Sequence, residues 1–264
     1  MIDAATKCFI QDYEAYKKGL KFPHPYFQQI QYVKVNSLII QHVLERKHDR
    51  ILDVGSATGH LIQGLSAISE GCVALDIEIE WLKDINKKNP RIACVSTDVE
   101  GGLPFKENTF DVVIASELLE HLNKPERFFE EVSRVLKRKG TFILTTPNRD
   151  NLSYKIFSVL PKSLAVPLAK KTGVDLNLHP ELLDYEELDP RNPHVHKVEG
   201  FTQKELQNLG KDHSLMIIFA RCFGLAIPDR TYSYVPKALT RFIVNKIEDH
   251  VPYALRHLIV YENK

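Results

Sequence analysis

Between residues 50 and 147, short apolar runs alternate with segments whose apolar residues recur at helical spacing. The apolar runs have the length and the β-branched content of buried strands. Strands that alternate with helices in this way favour a mostly parallel, doubly wound α/β sheet. The predicted strands are 50–54, 72–77, 92–96, 110–116 and 141–146.

Residues that typically begin or end helices lie between the predicted strands. Asn89-Pro90 is expected to end the helix after the second strand, because proline cannot continue a helix. Asn123 is expected to cap the helix after the fourth strand, with Pro125 in its first turn. Gly140 is then expected to end that helix, directly before the fifth strand.

The pattern predicts a single domain over residues 1–264, with four parts. Residues 1–48 read as a helical cap that precedes the sheet, and residues 49–148 form the core of the domain. Residues 149–200 are proline-rich and too long for a plain connection, so we expect an insertion or lid with structure of its own. Residues 201–264 form the C-terminal half of the sheet.

Local signals also divide this C-terminal half. Thr202 and Glu205 have the spacing of a capping box, which predicts the start of a helix. A strand is expected at residues 215–223, and an amphipathic helix at residues 236–249. The last strand is expected at residues 257–261, where apolar residues run without interruption.

Composition narrows the range of partners. The net charge of +1 gives no strong field to attract nucleic acid, and this disfavours RNA or DNA as a partner. The four cysteines lack a CxxC spacing, which favours buried thiols in a reducing compartment. The longest apolar stretch, 215–228, contains Arg221 and is too short to cross a bilayer. We therefore expect a cytoplasmic protein without a transmembrane segment, and the sequence leaves its oligomeric state open.

The stretch from Asp53 to Gly59 predicts a ligand site at the end of the first strand. Two glycines four positions apart, followed by apolar residues at helical spacing, indicate a strand, a tight turn and a helix. Such a turn places backbone N–H groups and a positive helix end at the carboxyl edge of the sheet. Asp53 would repel a diphosphate but suits a cationic amino group, and Ala57 stands where a dinucleotide site needs glycine.

Four segments in this order resemble the class I S-adenosylmethionine (SAM) dependent methyltransferases of the ubiquinone-biosynthesis and small-molecule or sugar O-methyltransferase type. The segments are LDVGSATG, ALDIE, STDVEGGLPFKENTFDVVIASELLEHL and RVLKRKGTFILTTPN, and together they span residues 52–148. The resemblance implies a seven-stranded Rossmann-like sheet whose last strand is antiparallel and lies between the fifth and sixth. It also implies SAM as cofactor and S-adenosylhomocysteine as product.

The resemblance assigns cofactor contacts to the ends of the first four strands. Asp76 ends the second strand, where a carboxylate accepts hydrogen bonds from ribose hydroxyls. Asp98 would meet the adenine amino group and the Val99 N–H the ring, although Asp98 could equally be a turn acid. The expected cofactor-binding residues are Asp53, Gly55, Ser56, Ala57, Gly59, Asp76, Ile77, Asp98, Val99 and Ser116.

Glu117, Glu120 and His121 follow the fourth strand and are the candidates for chemistry. They share one face if the segment is helical, because their spacings are three and four. Two carboxylates and an imidazole could bind a divalent metal, or His121 could act as a base with Glu117 beside it. We favour the base without a metal. His194 and His196, at the end of the insertion, could reach the same pocket from the opposite side, and His196 is the stronger catalytic candidate.

The expected function is methyl transfer from SAM to a small or medium polar acceptor. A hydroxyl of a sugar, a quinol-like compound or a lipid-linked intermediate fits best, because methyl transfer needs a positioned nucleophile that can lose its proton. RNA 2′-O-methylation is an alternative, implied by the resemblance of the Glu-x-x-Glu-His segment to the small-RNA 2′-O-methyltransferases. A SAM-responsive module without turnover is another.

Overall fold

The structure is a computed structural model that describes most of the chain. The predicted helix at 236–249 and the candidates His194 and His196 lie outside the described residues. The described residues are 25–44, 49–69, 71–151, 155–156, 159–172, 198, 200–223, 254 and 256–264.

Helices and strands alternate along the described chain as the apolar pattern predicts. In chain order the elements are α1 (Pro25–Leu44), β1 (Arg50–Val54), α2 (His60–Leu65), β2 (Gly71–Asp76), α3 (Ile79–Lys88), β3 (Ala93–Ser96), β4 (Phe110–Ser116), α4 (Pro125–Val135), β5 (Leu136–Pro147), α5 (Lys162–Thr172), α6 (Gln203–Asp212), β6 (Leu215–Phe223) and β7 (Arg256–Asn263). Short 3₁₀ turns at Val99–Gly101 and Leu119–His121 follow β3 and β4.

The described strands form one seven-stranded sheet in the order β3-β2-β1-β4-β5-β7-β6. The first five strands are parallel to one another, whereas β7 is antiparallel to both β5 and β6. The predicted mostly parallel α/β sheet is confirmed, and so is the antiparallel last strand between the fifth and sixth. Strand order reverses direction between β1 and β4.

The central strands are mostly apolar because helices cover both faces of the sheet. Alternate strand residues, such as Leu52 and Val113, pack on one face with α4 and α6. Their neighbours, such as Ile51 and Val112, pack on the other face with α1, α2 and α3. The later part of α1 packs through Ile39, so this part of the predicted cap is joined to the sheet.

The end of α4 differs from the prediction. The helix ends at Val135 instead of Gly140, and β5 starts at Leu136 rather than residue 141. The Asn263 side chain donates hydrogen bonds to the carbonyls of Ser133 at 3.0 Å and Leu136 at 3.2 Å. These contacts come from the far end of the chain and satisfy carbonyls that a longer helix would have used.

The start of α4 also corrects a prediction. Lys124, not Asn123, is the residue before the helix, and Pro125 is its first residue. The Asn123 side-chain amide instead donates to Glu100 Oε1 at 3.1 Å. The Asn123 amide, which the sequence pattern assigned to the start of the helix, is therefore used in a tertiary contact.

The capping box at the start of α6 is confirmed, since both hydrogen bonds between Thr202 and Glu205 are present. The predicted bounds of β4 and β6 agree with the structure. Among the helices in the described ranges, none has both the length and the apolar character that crossing a membrane would require.

Candidate functional site

The reversal of strand order between β1 and β4 places a crevice at the carboxyl edge of the sheet. Two loops border it: residues 55–59, which follow β1, and residues 117–121, which follow β4. Open α/β sheets bind ligands at this position, because the loops from the two strands diverge there. The sequence predicted both loops as functional, and the fold makes them neighbours.

The glycine loop touches the loop after β4. Gly55 has φ of 71° and Gly59 has φ of 76°, so the turn uses left-handed backbone that favours glycine. A Cβ on Gly55 would lie 3.1 Å from Leu118 Cδ1, and one on Gly59 would overlap the side chain of Ile85 on α3. The absence of a Cβ at Gly59 therefore allows α3 to pack closely against this turn.

Asp76 holds the glycine loop in place. One carboxylate oxygen accepts a hydrogen bond from the backbone N–H of Ala57 at 2.7 Å, and the other from that of Glu78 at 2.9 Å. Ala57 itself has φ of 44°. Each carboxylate oxygen can accept a second hydrogen bond, so these contacts leave capacity for the predicted ribose hydroxyls.

Asp53 and Ser56 are buried polar residues beside this loop. Burial, followed by the nearby Asp76 carboxylate, raises the pKa of Asp53 to about 8. Ser56 Oγ is buried and has no hydrogen-bond partner among the described residues. A buried acid that pairs with no cation among the described residues, next to an unsatisfied hydroxyl, fits the positively charged amino group of SAM.

The other expected cofactor residues lie at the ends of β2, β3 and β4. Ile77 is exposed directly after β2. Asp98 is exposed and accepts a hydrogen bond from Glu100 N at 2.9 Å, which is the turn role that the sequence left open. Val99 begins that turn and is half-buried, and Ser116 Oγ lies 2.9 Å from Thr145 Oγ1.

Glu117 directly follows β4 and has a left-handed backbone, with φ of 54°. Its N–H donates to the carbonyl of Thr145 at 2.9 Å. Its carboxylate pairs with Arg256, the first residue of β7, with Nε 2.8 Å from Oε2. The other oxygen, Oε1, is buried without a hydrogen-bond partner in the part of the chain that the structure describes.

Glu120 is fully buried. Its Oε2 accepts a hydrogen bond from Thr146 Oγ1 at 3.0 Å, while Oε1 has no partner within the described ranges. Burial, and next the Glu117 carboxylate, raises the pKa of Glu120 well above its usual range. The backbone carbonyl of Glu120 accepts a hydrogen bond from Val198 N at 3.3 Å, so the end of the insertion reaches this edge of the sheet.

The condition for a common helical face of Glu117, Glu120 and His121 is not met, because the segment after β4 is not an α-helix. Glu117 precedes the 3₁₀ turn and is left-handed, whereas Glu120 and the half-buried His121 lie within that turn. The described residues include no group of three or more histidine, cysteine, aspartate or glutamate side chains arranged for a metal ion. Arg256 also places a guanidinium against Glu117, where a divalent cation would be repelled. The donor set does not fit the metal site considered from sequence.

Arg256 and Thr146 are site residues that sequence reasoning missed. Arg256 pairs across the sheet with Pro147 at the end of β5, and Thr146 pairs with His257. A signal for Arg256 was available, because an antiparallel last strand must start at the carboxyl edge where parallel strands end. No local signal marks Thr146, which reads as an ordinary buried strand residue.

The chain is similar in sequence to known methyltransferases. Residues 52–144 match a family described as a methyltransferase domain. The rat mitochondrial ubiquinone biosynthesis O-methyltransferase is 31% identical over 159 residues, which cover 57% of this chain and 46% of the rat protein. The demethylmenaquinone methyltransferase of Renibacterium salmoninarum is 31% identical over 107 residues, covering 40% of this chain and 45% of that protein.

A solved structure agrees with the fold over nearly the whole chain. A SAM-dependent methyltransferase from Thermotoga maritima matches with a TM-score of 0.59 and 15% identity, covering 98% of this chain and 100% of that one. At this identity the match describes the fold alone. The chain spans about half the length of the two sequence relatives. The family match over residues 52–144 includes most of β1, all of β4 and the loops that follow them.

Proposed function

We propose that the chain is a class I SAM-dependent methyltransferase that transfers a methyl group from SAM to a small or medium polar acceptor. The acceptor group is a hydroxyl of a sugar, a quinol-like compound or a lipid-linked intermediate. The observation that carries the proposal is the contact of the glycine loop at Gly55 with Leu118, in the loop that bears the polar side chains. A cofactor on the first loop would face an acceptor beside the second.

On the cofactor side, the chain offers an acidic, partly unsatisfied surface. Asp53 would bind the ammonium group, and the buried hydroxyl of Ser56 would gain a partner. Asp76 would accept the ribose hydroxyls while it holds Ala57 in place. SAM, when bound, supplies an electrophilic methyl carbon, so the protein needs to position the acceptor and remove its proton.

On the acceptor side, His121 is the proposed base and Glu117 is a further catalytic candidate on the same loop. His196, which lies outside the described residues, stays a catalytic candidate from the sequence alone. His121 lies on the same short turn as Leu118, and an imidazole can take a proton near neutral pH. Arg256 would fix the Glu117 carboxylate and balance its charge. The names of the two sequence relatives, which refer to ubiquinone and menaquinone, support a quinol-like acceptor.

Binding of S-adenosylhomocysteine, measured by calorimetry, tests the cofactor half. Asp76→Ala removes two hydrogen bonds to a charged acceptor, so affinity should fall about 100-fold or more. Asp84→Ala, on the exposed side of α3, is the matched control and should bind like the wild type. Wild-type protein that gives no binding heat, or that binds NADH tightly instead, would contradict the proposal.

Transfer of label from SAM tests the enzymatic half. Wild-type protein should move label from methyl-labelled SAM into a hydroxylated compound of a fractionated cell extract. His121→Ala should lose this activity while its affinity for S-adenosylhomocysteine stays within about threefold of the wild type. Sustained binding with no transfer to any fraction would favour a non-catalytic module. Transfer into RNA alone would favour the nucleic acid alternative.

A further inference from the structure

One side of α4 binds the loop after β3 through a row of polar side chains. The row consists of Arg127, Glu131 and Arg134, whose spacings of four and three positions place them on one face of the helix. Arg127 Nη2 donates to the carbonyl of Gly101 at 3.1 Å. Glu131 Oε2 accepts from Leu103 N at 2.7 Å, and Arg134 Nη2 donates to the carbonyl of Leu103 at 2.9 Å. These hydrogen bonds fasten the loop to the helix.

A further contact joins the same loop to the chain just after the turn Leu119–His121. Glu100 Oε1 accepts hydrogen bonds from both the backbone N–H and the side-chain amide of Asn123, the second at 3.1 Å. Asn123 is two positions after His121, the proposed base. One carboxylate oxygen therefore holds the chain at the point where it leaves the turn.

Glu100 also belongs to the segment that is expected to meet the adenine. It lies inside the 3₁₀ turn Val99–Gly101, and its backbone N–H donates to the Asp98 carboxylate at 2.9 Å. The N–H of Gly101 donates to the carbonyl of Asp98 at 3.1 Å, which closes the turn. Asp98 and Val99 are the two residues that the resemblance assigns to the adenine. A shift of either residue would therefore move the Glu100 carboxylate with it.

We propose that Glu100 is a positioning residue that links the bound cofactor to the turn carrying the proposed base. A cofactor at Asp98 and Val99 would hold the turn after β3, and Glu100 would then hold Asn123 and the end of the turn at His121. A small misplacement of a reacting group lowers the rate strongly, so this contact acts on orientation. The inference rests on the proposed function, because it assigns His121 as the base.

Steady-state kinetics of Glu100→Ala tests the link. The variant loses both hydrogen bonds to Asn123, so kcat should fall about 10-fold or more, while KM for the acceptor and affinity for S-adenosylhomocysteine change less than about threefold. Glu100→Gln keeps an oxygen that can accept the same hydrogen bonds, so its kcat should return to within about threefold of the wild type. Melting temperatures of both variants should stay within about 3 °C of the wild type.

Arg127→Met is the matched control. Arg127 also joins the loop after β3 to α4 through an exposed hydrogen bond, but it lies one helical turn further from His121 than Asn123 does. Its kcat should therefore stay within about twofold of the wild type. Equal losses of kcat in Arg127→Met and Glu100→Ala would overturn the proposal, because general attachment of the loop would then explain both. A loss in Glu100→Gln as large as that in Glu100→Ala would also overturn it.

Hydrogen exchange measures the link without turnover. In the wild type, saturating S-adenosylhomocysteine should slow exchange in a peptide that covers residues 119–123 by about threefold or more, because a fixed Glu100 then holds the Asn123 N–H. Glu100→Ala should lose this slowing while it still binds S-adenosylhomocysteine. Slowing that persists in the variant would overturn the proposal, and affinity that falls as far as kcat would instead make Glu100 a cofactor contact. Wild-type protein that binds S-adenosylhomocysteine but transfers no methyl group contradicts the proposed function alone, since the exchange experiment still decides the link.

Discussion

The two sides of the crevice are held by different kinds of interaction. On the cofactor side, Asp76 binds backbone N–H groups 19 and two positions away, at Ala57 and Glu78. On the acceptor side, Glu117 pairs with the side chain of Arg256, 139 positions away. Backbone shape therefore defines the first side, and the charges of distant side chains define the second.

This difference predicts different responses to mutation. Backbone turns with positive φ tolerate little change at glycine, because an added Cβ strains the turn and meets neighbouring atoms. A charged side chain in a tertiary ion pair can be substituted without unfolding the domain. The substitution will, however, change the position of the partner side chain. Substitutions on the cofactor side should thus lower stability, and those on the acceptor side should lower turnover.

The largest effect is expected for Gly59→Ala. A Cβ at this position would overlap Ile85, and φ is 76°, so the free energy of unfolding should fall by about 2–4 kcal/mol. Gly101→Ala is the control, because a Cβ there has no atom within 4 Å. Denaturant unfolding of both variants measures the difference. A loss below about 0.5 kcal/mol for Gly59→Ala would show that α3 can move away.

Arg256→Met tests the acceptor side. The loss of a hydrogen bond between two charged groups should lower kcat/KM by about 10- to 100-fold, while affinity for S-adenosylhomocysteine changes less than about threefold. A fall in kcat with little change in KM would indicate that Arg256 acts through Glu117, and Arg256→Lys should recover part of the activity.

The opposite end of the sheet provides the matched control for Arg256. Lys137 pairs with Asp111 at 2.8 Å, the same distance as Arg256 with Glu117, and both pairs are partly exposed. Lys137→Met removes an ion pair far from the crevice, so kcat/KM should stay within about twofold of the wild type. Equal losses in the two variants would show that ion pairs matter here only through general stability.

The same contrast explains what the sequence could predict. The sheet, its strand bounds at β4 and β6 and the glycine turn all follow from periodicity and residue type within short windows. The end of α4 depends on Asn263, and the setting of Glu117 depends on Arg256, so both require contacts between the two ends of the domain. Helical spacing suggested one face for Glu117 and Glu120, but the left-handed backbone at Glu117 separates it from the turn.

Each side of the crevice contains a buried acid, so the two sides can be compared through the pH dependence of the free energy of unfolding. The pKa of Asp53 rises from 3.8 to about 8 on folding, so the folded state holds its proton where the unfolded state has lost it. Stability from this proton is fully present below the unfolded pKa and is lost as pH rises through the folded pKa. Between about pH 5 and pH 8, the free energy of unfolding of the cofactor-free protein should fall by about 3–4 kcal/mol more than that of Asp53→Asn.

Glu120→Gln extends this test to the acceptor side. Burial raises the pKa of Glu120 in the same direction, so this variant should also flatten the fall in stability with rising pH. Thermal melts at several pH values check both variants. Profiles parallel to that of the wild type would show that the buried acids lose their protons without cost, through rearrangement of the crevice.

The smallest effect is expected for Thr202→Ala, at the start of α6. Thr202 Oγ1 accepts a hydrogen bond from Glu205 N at 3.2 Å, and its loss should cost about 1 kcal/mol of unfolding free energy. Glu205 keeps its ion pair with Arg149, so the helix should stay docked. Gln203→Ala, on an exposed neighbour, should change stability by less than about 0.5 kcal/mol. The hydrogen bond at the start of α6 joins residues only three positions apart. Its loss should therefore lower the melting temperature without changing kcat/KM. A loss of kcat/KM comparable to that of Arg256→Met would mean that α6 positions the catalytic turn, and that the two sides of the crevice differ less than their contacts indicate.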